Sequence, residues 1–110
     1  MKTITLQTKD FGTVDKFNIK AGAKSLKDAV GESLTVTKAC VGRDVDSDGV
    51  EVDAAAIITD KGAYTTISAT AVELIADLIE IIDEMGDAEV LVESRKSNGG
   101  RDYLVLTLVG

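Results

Sequence analysis

The chain has no histidine, no proline, no tryptophan and a single cysteine among its 110 residues. Without an imidazole there is no usual base to activate a serine or cysteine nucleophile. The usual zinc sites are excluded as well, since they need several Cys and His ligands. Cys40 cannot form an internal disulfide, and it continues an apolar strand pattern with Leu34 and Val36, so it reads as a small buried hydrophobe. Neither a Walker loop nor a G-x-G-x-x-G turn is present. No apolar run approaches the roughly 18–20 residues that span a bilayer. The N-terminus, MKTITLQTKDFG, alternates where a signal peptide would be continuously apolar, which points to an intracellular protein. With no proline, no low-complexity tract and no repeat, no linker is visible, and residues 1–110 read as one domain. The expectation is a non-enzymatic binding protein without metal, cofactor, small-molecule substrate or membrane contact.

What is present is charge, unevenly spread. The net charge of −7 looks hostile to nucleic acid. Yet residues 1–43 hold eight Lys/Arg against four acids, whereas residues 62–94 hold eight acids and no base. Residues 44–61 are acidic again and residues 95–110 are mildly basic. A basic face can therefore coexist with an acidic total.

The hydrophobic pattern predicts mostly strand. Residues 2–8 alternate, and residues 14–19 read as a second strand with Phe17 and Ile19 facing together, the pair forming an N-terminal hairpin around a turn at 9–12. Residues 20–33 read as a loop with one short helical turn. Strands are expected at 34–41, 50–59 and 63–67, separated by turns at 43–49 and 60–62. From Thr70 to Met85 apolar residues recur at helical spacing, with Thr70 and Glu73 placed for a capping box and Gly86 as the stop. Glu73, Asp77, Glu80 and Glu84 form an acidic stripe on that helix. Two last strands, 89–93 and 102–109, flank an Asn-Gly loop at 94–101. Three strands, a helix and two strands match a five-stranded Greek-key OB-like β-barrel with one helix, plus the N-terminal hairpin. Other small α+β folds fit the same order.

Two constellations invite chemistry. Asp44-x-Asp46-x-Asp48-Gly49 copies half of a calcium loop, but its twelfth position is Ala55, so it reads as an acidic hairpin tip. The other is aromatic and basic. Single strands are held by stacking bases on open rings while cations follow the phosphates. Alternation sets Tyr103 opposite Leu104, Leu106 and Leu108, and Tyr64 opposite Ala63 and Ile67, with Lys61, Arg95, Lys96 and Arg101 nearby in sequence. Ordinary sheet tyrosines packed under a loop would give the same pattern.

Residues 58–68 (ITDKGAYTTIS) and 72–79 (VELIADLI) resemble the small single-stranded-DNA-binding proteins of protein-primed tailed phages. The Ser97-x-Gly99 loop and the Leu104/Leu106/Leu108 strand are similar to theirs too, and the likeness extends over residues 14–108. The resemblance implies an OB-like fold, sequence-independent binding of displaced strands during phage replication, no catalysis, and tyrosine stacking at Tyr64, with Tyr103 at a last-strand aromatic position. The chain departs from the family in 45–56, where no aromatic stands. A coating role also implies self-association along the DNA and residence in the host cytoplasm.

The expected interface is thus Tyr64 and Tyr103 for stacking, with Lys38, Arg43, Lys61, Arg95, Lys96 and Arg101 on phosphates. The rival expectation is an acidic protein-interaction module, a DNA mimic that inhibits a host protein through its carboxylate face.

Overall fold

The computed structural model describes residues 2–109. In chain order the elements are β1 (Thr3–Gln7), α1 (Thr13–Gly22), β2 (Lys24–Ser25), a 3-10 turn (Leu26–Ala29), β3 (Ser33–Val45), β4 (Glu51–Thr59), β5 (Gly62–Thr66), α2 (Ala69–Met85), β6 (Ala88–Lys96) and β7 (Asp102–Leu108). All seven strands belong to one sheet, ordered β2-β5-β4-β3-β6-β7, with β1 added beside β3.

The 13-residue β3 organises that sheet. One of its edges pairs antiparallel with β4 from Val36 to Val45, while the other takes β6 along Ser33–Val36 and then β1 along Cys40–Arg43. A register shift between Val36 and Lys38 marks a bulge, which bends the strand and increases its twist. The sheet curls into a half-barrel compatible with an OB-like barrel, so the mostly-β reading holds. Where β1 crosses β3 the backbones come so close that a Cβ on Gly42 would land on the Thr3 carbonyl.

The two helices cover opposite faces. On the concave side α2 buries Ala71, Val72, Ile75, Leu78, Ile79 and Ile82 against Leu34, Val36, Ile57, Val90, Val92, Leu104 and Leu106. On the convex side a smaller cluster forms from Phe11, Ile19, Cys40 and Ala56. Both faces of β4 are therefore covered, and the run Ala54, Ala55, Ala56, Ile57 is buried throughout instead of alternating.

The expected N-terminal hairpin is not formed. Residues 14–19 lie in a helix, and β1 pairs with distant β3. The Asp15 carboxylate accepts the Gly12 N–H at 2.8 Å, half of a capping box that Gly12 has no side chain to complete. Asp15 and Ile19, one turn apart, face inward, while Phe17 faces out. The described residues therefore form two α-helices where one was expected. At α2 the end at Gly86 holds, with φ 91°. The Thr70/Glu73 box does not, because the N-cap is Ser68, two residues earlier, and Thr70 already lies inside the helix. The 43–49 turn is closed by Asp46, whose Oδ1 accepts the N–H groups of Asp48 and Val50, both at 2.9 Å. Among the described residues no group of three or more His, Cys, Asp or Glu is placed to hold a metal.

Candidate nucleic-acid interface

The two ends of the strand order, β2-β5 and β6-β7, face each other across a seam that the half-barrel leaves open. A groove of about 520 Å³ fills it. One wall carries Ser25, Lys27 and Val30 from β2 and the turn behind it. The floor comes from Thr66, Ile67 and Ser68, between β5 and α2. The other wall is Ser94, Asp102, Tyr103 and Leu104 of β6 and β7. A second depression of about 480 Å³, lined by Thr70, Lys96, Ser97, Asn98 and Tyr103, shares the tyrosine with it.

This surface combines the two kinds of contact that a single strand needs. Ile67 is 56% exposed and Val30 43%, open apolar side chains beside the half-buried Tyr103, suited to the flat faces of bases. Lys27 and Lys96 add cations, and Ser25, Thr66, Ser68 and Ser94 add hydroxyls. The N-terminus of the 17-residue α2 also opens here, at Ser68 and Thr70, with no side-chain cap and no acid in its first turn, so this end of the helix favours an anion. Asp102 is the acid in the groove wall. It is the cross-strand partner of Lys96.

Of the eight residues expected from the sequence, the structure gathers four. Tyr103 and Arg95 are cross-strand partners, Lys96 lies beside them on β6, and Arg101 stands in the exposed turn that joins β6 to β7. Neither Lys96 nor Arg101 has an ion pair with a described residue, whereas Arg95 lies 3.5 Å from Glu93. An exposed pair of that kind is worth at most about 1 kcal/mol, so a phosphate can displace the carboxylate.

The other four lie elsewhere. Tyr64 is only 4% exposed and belongs to the main core under α2, so it is corrected from a stacking ring to a packing residue. The alternation of β5 is as expected, but its buried face is the one with Tyr64 and Thr66, because α2 covers that side. Lys38 is engaged with Asp15 at 3.1 Å beneath α1. Burial pushes the Asp15 carboxyl up, but the Gly12 N–H and the Lys38 ammonium outweigh it and hold the group below its ordinary value. Arg43 bridges Asp53 at 2.8 Å and Glu51 at 3.5 Å across the β3–β4 ladder. Lys61 pairs with Glu32 at 3.3 Å. None of these four lines the seam or the second depression.

Lys27, Val30 and Ile67 were not anticipated. Their wall exists because Lys24 and Ser25 pair parallel with Tyr64 and Thr65, a two-residue contact between distant segments with no local signature. The Gly/Lys-rich composition of 20–33 was the one hint.

Residues 2–109 match the family model described as phage single-stranded DNA-binding protein. The chain belongs to that family. Neither curated proteins nor solved structures give a match. As a phage single-stranded DNA-binding protein, the chain has a binding role in phage replication, not a catalytic one. The rival reading as an acidic DNA mimic is not favoured by this membership. The acidic residues Glu73, Asp77, Glu80 and Glu84 of α2 are all exposed, and a solvated face accounts for them. Among the described residues no helix is long and apolar enough to cross a membrane.

Proposed function

We propose that this phage single-stranded DNA-binding protein acts as one domain that coats displaced strands without reading their sequence, in the host cytoplasm, and that the open seam is where the strand lies. Tyr103 stacks a base, Val30 and Ile67 line the path of its neighbours, and Lys27, Arg95, Lys96 and Arg101 follow the phosphates. Sequence independence follows from the chemistry. Every base has a π-face to stack, and the wall presents small hydroxyls and flexible cations instead of a rigid bidentate reader.

The single supporting observation is that the two free ends of the strand order meet over a groove holding the half-buried ring, open apolar residues and Lys27, with Lys96 in the adjoining depression. Tyr64 is left out of the proposed contact because it is buried, and Lys38, Arg43 and Lys61 because they stand on β3 and in the β4–β5 turn, away from the β6–β7 hairpin that carries Tyr103, and line neither depression.

Fluorescence anisotropy with labelled oligo(dT) and with duplex of equal length, at two salt concentrations, tests this reading. Single strand should bind more tightly than duplex, with affinity falling as salt rises. Equal binding of both forms, or affinity insensitive to salt, would defeat it.

A further inference from the structure

Of the chain's four aromatic rings, Phe11 and Tyr64 are each 4% exposed and Tyr103 is half-buried, but Phe17 is 69% exposed. An aromatic left in water on the outside of a helix contributes nothing to the core beneath it. Phe17 lies on the outer face of α1, with Val14, one turn before it, 71% exposed on the same side. Lys16 and Lys20, one turn apart, lie together on one side of it, Lys20 being its neighbour three residues on. With Lys2 of the N-terminal segment they border a depression of about 350 Å³ on the convex side of the sheet. None of these lysines has an ion pair with a described residue.

The chain then leads from this helix directly into the seam. α1 ends at Gly22, Lys24 and Ser25 form β2, and Ser25 and Lys27 are in the groove wall. Lys16, Lys20, Lys24 and Lys27 thus follow one another along the chain from the helix with the open phenylalanine to the groove wall, all exposed and none with an ion pair to a described residue. A ten-residue helix extends about 15 Å, enough for several phosphates along its length.

We infer that the outer face of α1 is a second contact for the same polynucleotide, where Phe17 stacks a base and Lys16 and Lys20 hold phosphates of the strand leaving the seam at Lys27. The inference rests on the seam being the primary strand site. Charge complementarity favours a polyanion, and an exposed ring beside two lysines favours one that carries stackable bases. A second copy of the chain, offering the Glu73/Asp77/Glu80/Glu84 stripe of its α2, is the competing occupant.

The test compares the shortest oligo(dT) that the wild-type chain binds with one several times longer. Phe17→Ala and the double variant Lys16→Glu/Lys20→Glu alter exposed positions, and their unfolding midpoints should match the wild type. Each should keep wild-type affinity for the short strand and lose about tenfold or more on the long one. The salt slope on the long strand should fall by roughly 1.4 for the lysine pair, at about 0.7 per phosphate. Photocross-linking of wild-type protein to long halogenated oligo(dT) should label the segment that contains Phe17. Unchanged long-strand affinity and slope, with no label in that segment, would overturn the inference while leaving the seam intact. Loss of concentration-dependent self-association in the lysine variant, with strand affinity unchanged, would also overturn it in favour of the second copy. Failure of the wild type to bind either oligonucleotide would refute the seam reading itself.

Discussion

Arg95 on β6 and Tyr103 on β7 are direct cross-strand partners, so a cation and a phenol ring share one face of the sheet at the edge of the seam. Because β7 ends the strand order, nothing in the sheet lies beyond the ring. A stacked base would leave its phosphate within reach of the guanidinium on the neighbouring strand.

The two tyrosines should therefore respond differently to substitution. Tyr103→Ala should weaken oligo(dT) binding by about 1–3 kcal/mol, roughly 5- to 150-fold, with little change in stability. Tyr103→Phe, which keeps the ring, should stay close to wild type. Tyr64→Ala should instead destabilise the fold by about 3–5 kcal/mol, as removal of a buried ring does, and Tyr64→Phe should leave strand affinity untouched. Anisotropy titrations paired with urea unfolding separate the two effects.

Asp102 opposes what the seam is proposed to bind. It is an exposed carboxylate in a wall that would meet phosphates, across the ladder from Lys96. Asp102→Asn should tighten oligo(dT) binding several-fold at low salt, and the gain should shrink as salt screens the charge. Equal affinities for variant and wild type at low salt would remove Asp102, and the wall it stands on, from the strand's path.

The extent to which these sites were legible in the sequence follows from how local their signals are. The α2 helix, the β3–β4 turn closed by Asp46, and the β6–β7 hairpin each announce themselves within a few residues, by helical spacing or by turn chemistry. The place of Tyr103 off the Leu104/Leu106 face was readable for that reason. Tyr64 was misjudged because helices cover both faces of the sheet, so alternation gives two sides without telling which is sealed more deeply. In α1 the alternation of Phe17 and Ile19 imitated a strand. The deciding signals were Asp15 three residues after Gly12 and Ile19 four residues after Asp15. The groove wall at Lys27 was out of reach, since the parallel β2–β5 contact is set by the tertiary fold alone.

Asp15 ties α1 to β3, and its contribution should depend on pH in a definite direction. Its carboxyl is held below its ordinary value of 3.8 in the folded chain, so the folded state favours the ionised form. The stabilisation is fully present above 3.8 and is lost as pH falls through the lower, folded value. Asp15→Asn should cost about 1 kcal/mol near neutral pH, the scale of a helix cap. The gap between variant and wild type in urea midpoints should close in strong acid. A gap that widens with acidification would show that the carboxyl is held neutral instead.

Cys40 offers a check on the convex cluster. Burial pushes its thiol up to about 11, and its side chain is fully enclosed between α1 and the sheet. At pH 8 a thiol reagent should leave it unmodified in the folded chain and react quickly once urea unfolds it. Rapid labelling without denaturant would mean that α1 lifts readily from the sheet.

The most direct measurement is an NMR titration of the wild-type chain with a short oligo(dT). Backbone signals of Lys27, Val30, Ile67, Ser68, Lys96 and Tyr103 should shift together, while those of Arg43, Lys61 and the acidic face of α2 stay in place. Shifts concentrated on the β3–β4 hairpin or along Glu73, Asp77 and Glu80, with the two sides of the seam silent, would contradict the proposal that the open edge of the half-barrel holds the strand.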